Sequence, residues 1–187
     1  MMKQLLFRGM ATALVTPMHP DGSVDLQTLA RLTEWQIQSG AAALVPCGTT
    51  GEAATLTLQE RTTVIRTVAG TASGRVPVIA GAGCNDTARA LENCKSAAAA
   101  GADALLLVTP YYNKTTQAGL VAHFTAMAEA GGVKVLIPHH MDLAMSEDVY
   151  LPRIEEMERA VHARVPGCTV ITPERLKWYH MGLSVWT

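Results

Sequence analysis

The sequence predicts an α/β protein in which strands and helices alternate around a parallel sheet. Three observations predict it. Short apolar runs recur along the chain without the in/out alternation of a half-exposed strand, so both faces of each strand are expected to be buried. Each run is followed by a longer stretch of helical periodicity that opens on a capping residue. The small, polar and hydroxyl-rich motifs fall at the C-terminal ends of the runs, where parallel α/β architectures place their ligands.

The first strand is expected over 10–15, from Met10 to Val15, and ends at Thr16-Pro17. Pro20-Asp21-Gly22-Ser23 reads as a turn. Asp25 is placed to cap a helix whose Leu26, Leu29, Leu32, Trp35 and Ile37 are expected to form one buried face, stopped by Gly40. The second strand runs from Ala41 to Val45 into Cys47-Gly48-Thr49-Thr50-Gly51-Glu52. Thr57 with Glu60 reads as a capping box for a helix through Val68. The third strand, Val76 to Ala80, meets Gly81-Ala82-Gly83, and Asp86 caps the helix that follows as far as Ala100 and Gly101. The fourth strand, Ala104 to Val108, ends in Thr109-Pro110-Tyr111-Tyr112-Asn113, and Thr116 opens a helix closed by Gly131-Gly132. A fifth strand is expected from Val133 to Ile137, a helix from Leu151 to Ala163, a sixth strand from Cys168 to Thr172 and a last helix after Pro173. Such βα repeats fit either an open doubly wound sheet or a closed barrel, and periodicity does not choose between them.

Composition narrows the class of function. The 187 residues suit one well-cored domain, with 49% hydrophobic and 17% charged side chains. A net charge of −1 gives no basic surplus for nucleic acid or an anionic membrane surface. No apolar run is long enough to span a bilayer, and Arg8 interrupts the short N-terminal one, so a cytoplasmic protein is expected. Cys47, Cys84, Cys94 and Cys168 have no CxxC spacing and are expected to be reduced thiols, with Cys47 and Cys84 near strand ends.

The motifs favour small-molecule chemistry without a cofactor or metal. Gly48-Thr49-Thr50-Gly51-Glu52 offers two hydroxyls and loop amides that can hold a carboxylate or carbonyl oxygen, and it lacks the Gly-Lys-Ser/Thr ending of a P-loop. Gly81-Ala82-Gly83 lacks the third glycine of a dinucleotide fingerprint and reads as glycines that let a loop pass close to a neighbour. Tyr111-Tyr112 is expected to divide its rings between packing and a site or subunit neighbour. His139-His140-Met141-Asp142 has no HExxH spacing and reads as a surface loop.

These residues carry a resemblance. Gly9 to Pro17, Gly48 to Glu52, Pro77 to Gly83 with Asn85 and Thr87, and Val108 to Lys114 together resemble the dihydrodipicolinate synthase and N-acetylneuraminate lyase family across residues 7–130. The Thr-Thr pair and Tyr-Tyr-Asn are most similar to the synthase branch, 4-hydroxy-tetrahydrodipicolinate synthase, which serves lysine biosynthesis. The resemblance implies a parallel (β/α)8 TIM barrel. It implies a lyase in which a lysine amine forms a Schiff base with pyruvate and the derived enamine attacks aspartate 4-semialdehyde. By motif position Thr49 and Tyr112 match members of a proton relay, Tyr112 reaching across a subunit interface of a homo-oligomer, and Thr50 matches the residue that binds the pyruvate carboxylate.

From about Gly131 the sequence departs from the family pattern. Pro138 stands near the position of the relay's next tyrosine, and the arginine expected just beyond it does not follow. Thr172 falls at the Schiff-base lysine position, and neither Lys134 nor Lys177 replaces that lysine. The chain as a whole reads as about six βα units, and what remains leaves no room for a seventh and eighth strand. The expected organisation is therefore residues 1–130 as the N-terminal part of a barrel and residues 131–187 as a divergent or foreign segment packed on it. Two functions stay open: a pyruvate-dependent lyase, or a catalytically silent, truncated or fused homologue that binds 2-oxo acids or supports oligomerisation.

Overall fold

The computed structural model describes residues 6–113, 115–136, 156, 159–161, 163–165 and 170–171. Among the described residues six parallel strands run in chain order. β1 (Ala11–Ala13) pairs with β2 (Ala43–Val45), placing Ala11 opposite Ala43. β2 continues into β3 (Ile79–Gly81) through a Leu44–Val78 bridge and the Gly81 amide, which donates to the Pro46 carbonyl at 2.9 Å. β3 pairs with β4 (Ala104–Leu106), β4 with β5 (Lys134–Leu136) and β5 with β6 (Val170–Ile171).

This order separates the two architectures that periodicity leaves open. A doubly wound sheet reverses its strand order at a switch point and carries helices on both faces. Here each new strand adds to the same side of the last, and the helices share one face. α1 (Leu26–Gln38) packs on α2 (Leu58–Ala72), α2 on α3 (Thr87–Ala99) and α3 on α4 (Gln117–Gly131). That is the winding of a βα barrel wall.

Side-chain alternation produces two apolar layers, because successive strand residues point to opposite faces. Leu44, Val78, Ala80, Leu105 and Val135 face the helices, where they meet Leu29, Val64, Val68, Phe124 and Met127 in the main core. Ala43, Val45, Ile79 and Ala104 form the opposite layer, with Ala11 and Leu106 beside them and Leu6 and Phe7 packed against it. Among the described residues no helix residue enters that second layer, as expected of a barrel interior lined by its strands. Val161 joins the main core, so the helical residues at 156, 159–161 and 163–164 pack on the same body.

The helix starts follow the expected local chemistry. Asp25, Asp86 and Thr116 each accept a backbone N–H at their helix N-termini. Thr57 and Glu60 complete a reciprocal capping box. β1 to β4 are each three residues long, shorter than the apolar runs that predict them, and flanking residues such as Leu14, Ala42 and Val78 still bond or bridge to the neighbouring strand.

The buried face of α1 differs from expectation. Leu29 and Thr33 are buried, whereas Trp35 is 59% exposed and Leu26 is also exposed. Residues three apart drift backwards by about 60° per step on a 3.6-residue helix, so Trp35 lies half a turn from Leu26. The i, i+4 pair Leu29–Thr33 marks the true stripe. The segments 137–155 and 172–187 lie outside the described residues, so Pro138, the His139-to-Asp142 motif, Thr172 and the helix expected after Pro173 take no part in the structural account.

Candidate functional site

The site is assembled where β2, β3 and β4 end. After Val45 the chain passes Pro46 and Cys47, whose φ of 54° puts a non-glycine residue in the left-handed region. Such a residue costs roughly 1–2 kcal/mol and persists where its surroundings fix it. Here the neighbouring strand supplies the fixing: a Cβ at Gly81 would overlap the Cys47 carbonyl, so only glycine lets β3 pass this close. A Cβ at Gly83 would likewise collide with the Val108 backbone after β4. The glycine pair thus serves backbone proximity, as its sequence suggests, and brings three strand ends together.

Thr49–Gly51 forms a single 3₁₀ turn closed by the Gly51 amide on the Gly48 carbonyl at 3.1 Å and by Glu52, at φ 53°, on Thr49 at 3.0 Å. These closing bonds do not use the Thr49 and Thr50 amides, and both threonine side chains are exposed. Beneath them Gly51 is buried and its carbonyl accepts the Thr16 hydroxyl at 2.7 Å, a buried bond from the end of β1. The turn therefore presents two hydroxyls outward on a backbone anchored from below.

The second anchor is a residue that motif reading passes over. Arg61, on the first turns of α2, is only 8% exposed. Its Nη1 donates to the Ala53 carbonyl at 2.9 Å and its Nη2 to the Gly81 carbonyl at 2.7 Å. Its own carbonyl accepts a weak bond from the Cys47 thiol at 3.8 Å. The signal was present in the helix pattern: Arg61 stands at i−3, i−4 and i−7 from the buried Val64, Ile65 and Val68, a charge on the apolar stripe. Burial pushes the Cys47 thiol up to about 11 despite the opposing effect of Arg61, which marks it as an inert packing thiol. Cys94 behaves alike, pushed up to about 12 by burial.

The loop after β4 is built differently. Tyr112 has φ 62° and is fully exposed, and Tyr111 is partly so. Two bonds tie this loop to the one after β3: Asn85 Nδ2 donates to the Tyr111 carbonyl at 3.3 Å, and Asn113 Nδ2 donates to the Asn85 carbonyl at 3.0 Å. The structure thus places Thr49, Thr50 and Tyr112 at the same end of the sheet, on loops separated by the β3 loop. Lys134 opens β5 opposite Ala104, at the other end of the strands. Thr172 and Lys177 lie outside the described residues. Among the described residues no group of three His, Cys, Asp or Glu side chains is placed to hold a metal ion, and no helix is long and apolar enough to cross a membrane.

A singly wound parallel sheet with its helices on one face places the chain in the class of βα-barrel proteins. Residues 6–147 match the dihydrodipicolinate synthetase family, and the chain belongs to that family. The match extends beyond Gly131. Among relatives, a 4-hydroxy-tetrahydrodipicolinate synthase of Jannaschia sp. is 56% identical over 126 residues, covering 67% of this chain and 43% of the relative. One from Thermoanaerobacter pseudethanolicus is 45% identical over 159 residues, covering 83% and 53%. The chain thus spans about half the length of the curated relatives it matches. Among solved structures, the dihydrodipicolinate synthase of Acinetobacter baumannii complexed with pyruvate superposes with a TM-score of 0.70 at 38% identity, covering 88% of this chain and 62% of that one. A Bacillus anthracis dihydrodipicolinate synthase gives 0.73 at 31% identity, covering 93% and 66%.

Proposed function

We propose that this chain binds pyruvate or a closely related 2-oxo acid at the Thr49–Thr50 turn, as the substrate-holding part of a lyase of the 4-hydroxy-tetrahydrodipicolinate synthase type. The observation that carries the proposal is the turn itself: two exposed hydroxyls and two amides outside its closing bonds, on a backbone fixed from beneath by Thr16 and Arg61. Such a turn suits a carboxylate, whose oxygens accept several hydrogen bonds without needing a countercharge in contact. In this reading Thr50 holds the substrate carboxylate. Thr49 passes a proton between the site and its neighbours, and Tyr112 extends the relay. Tyr112 has an exposed ring in a left-handed backbone, which suits delivery into the site of a second copy in a homo-oligomer. The relatives named as synthases and the solved relative with pyruvate support the same ligand class.

A second reading has its own support. Imine formation requires a lysine whose amine is neutral and within reach of the ketone. Lys134 stands at the opposite end of the sheet from the Thr49–Thr50 turn. On this reading the chain binds the oxo acid without turning it over, or pairs with other copies, and residues 131–187 form a divergent or foreign segment.

Trapping with borohydride separates the two. The full chain is incubated with pyruvate and borohydride, its intact mass is measured and any adduct is mapped. A stoichiometric adduct on one lysine establishes lyase chemistry. Saturable pyruvate binding without an adduct establishes the silent binding module. The absence of both adduct and binding overturns the proposal.

A further inference from the structure

The geometry points to Arg61 as the positioning residue of the oxo-acid turn, an inference that rests on the function proposed above. Its guanidinium joins the exit of the turn, at Ala53, to the end of β3, at Gly81. Its backbone carbonyl receives the Cys47 thiol at the entrance to the turn, and its amide is held in helix α2 by the Thr57 carbonyl at 3.0 Å. One side chain thereby fixes the turn's exit against the adjoining strand end, and the same residue's main chain contacts its entrance.

The residue type follows from this task. Two carbonyls on different segments require donors that diverge from a rigid plane, which guanidinium supplies and an ammonium does not. Both acceptors are uncharged, and among the described residues no carboxylate pairs with Arg61. A guanidinium held at 8% exposure by carbonyls alone is spent on backbone geometry rather than on an ion pair. Through that geometry it sets where Thr49 and Thr50 present their hydroxyls. Arg61 itself is not expected to touch the ligand.

The test compares the full wild-type chain with Arg61→Met, Arg61→Lys and Val64→Ala. The last removes buried apolar volume from the same helix without touching the turn. Amide exchange is read at Gly51 and Glu52, and pyruvate affinity is read by titration. Arg61→Met is expected to speed exchange at both amides about tenfold and to weaken pyruvate about tenfold with the same saturating occupancy, the free-energy scale of a lost hydrogen bond to a charged group. Arg61→Lys, retaining one bond, is expected to fall between. Val64→Ala is expected to lower the melting temperature and leave both readouts at wild-type values. Exchange at Gly51 and Glu52 that responds to Val64→Ala as strongly as to either Arg61 variant overturns the inference, and so does exchange unchanged in Arg61→Lys where Arg61→Met does not fold. Absence of pyruvate binding in the wild type overturns the proposed function, while the exchange comparison still decides the role of Arg61.

Discussion

The loop after β2 and the loop after β4 occupy the same edge of the sheet, yet they are held in opposite ways. The first is anchored by the buried bond of Thr16 beyond β1, by the partly buried bond of Arg61 of α2 to Ala53, whose other arm reaches Gly81, and by the close approach of β3 at Gly81. The second rests on exposed bonds exchanged between Asn85 and the segment 111–113, and leaves Tyr112 in solvent. A buried hydrogen bond is costly to lose because its partner stays desolvated, whereas an exposed one is replaced by water. The first loop is therefore preorganised by its own chain, whereas the second is held by exposed bonds that water can replace. A ligand-binding turn and a subunit-reaching tyrosine would differ in this way.

The contrast can be broken most severely at Gly81. Gly81→Ala forces a Cβ onto the Cys47 carbonyl, and overpacking against backbone costs about 3 kcal/mol or more, read as a fall in the denaturation midpoint. Wild-type stability in this variant would mean that β3 does not press on the turn. Thr16→Val leaves the Gly51 carbonyl buried without its donor and is expected to cost about 1–2 kcal/mol, with faster exchange in residues 49–52 and none of that effect in 111–113.

Acid should act on the other loop. His123 of α4 is buried, its Nδ1 bonded to the Thr87 hydroxyl at 2.8 Å and its Nε2 without a partner among the described residues. Burial lowers its pKa below 6.5. A histidine depressed in the folded state contributes stability that is complete above the unfolded value and declines as pH falls from 6.5 toward the folded value, with a slope of at most about 1.4 kcal/mol per pH unit. Thr87 follows Asn85 by two residues, so the loosening is expected around 85–87 and 111–113 before it reaches the Thr49 turn. Melting temperatures of the wild type and His123→Gln between pH 5 and 7 check this, the variant losing the slope. The smallest effect is expected from Asn85→Ala, which removes the exposed bond to the Tyr111 carbonyl and a weak Cys84 thiol bond but keeps the Asn113 bond to the residue-85 main chain: no more than about 0.5 kcal/mol of stability, with altered amide shifts next to the substitution and in 111–113.

What could be read in the sequence was local or periodic. The caps at Asp25, Thr57, Asp86 and Thr116 depend on residues three or fewer positions away, so the chain order alone reveals them. The two-sided burial of the strands was visible in their continuous apolar runs, and the closeness of Gly81 and Gly83 to neighbouring strands in their small size. Trp35 lies off the buried face because residues spaced by three drift around a helix that turns every 3.6 residues. Periodicity alone does not separate a barrel-type winding from an open sheet; the motif resemblance points to the barrel, and the strand order carries that winding. Arg61 was hidden because its partners, Ala53 and Gly81, are 8 and 20 residues away, and a charged residue in a helix ordinarily faces water. The hydroxyls of Thr49 and Thr50 were found from their motif, but the anchoring that gives them a fixed position came only from the fold.

The central claim is that the turn after β2 receives the carboxylate of a 2-oxo acid. Titrating the isotope-labelled full chain with pyruvate, and separately with acetone as the ketone lacking a carboxylate, tests it most directly. The account predicts saturable shifts of the Thr49, Thr50 and Gly51 amides with pyruvate and none with acetone. Pyruvate shifts that fail to saturate, or that acetone reproduces, would contradict it.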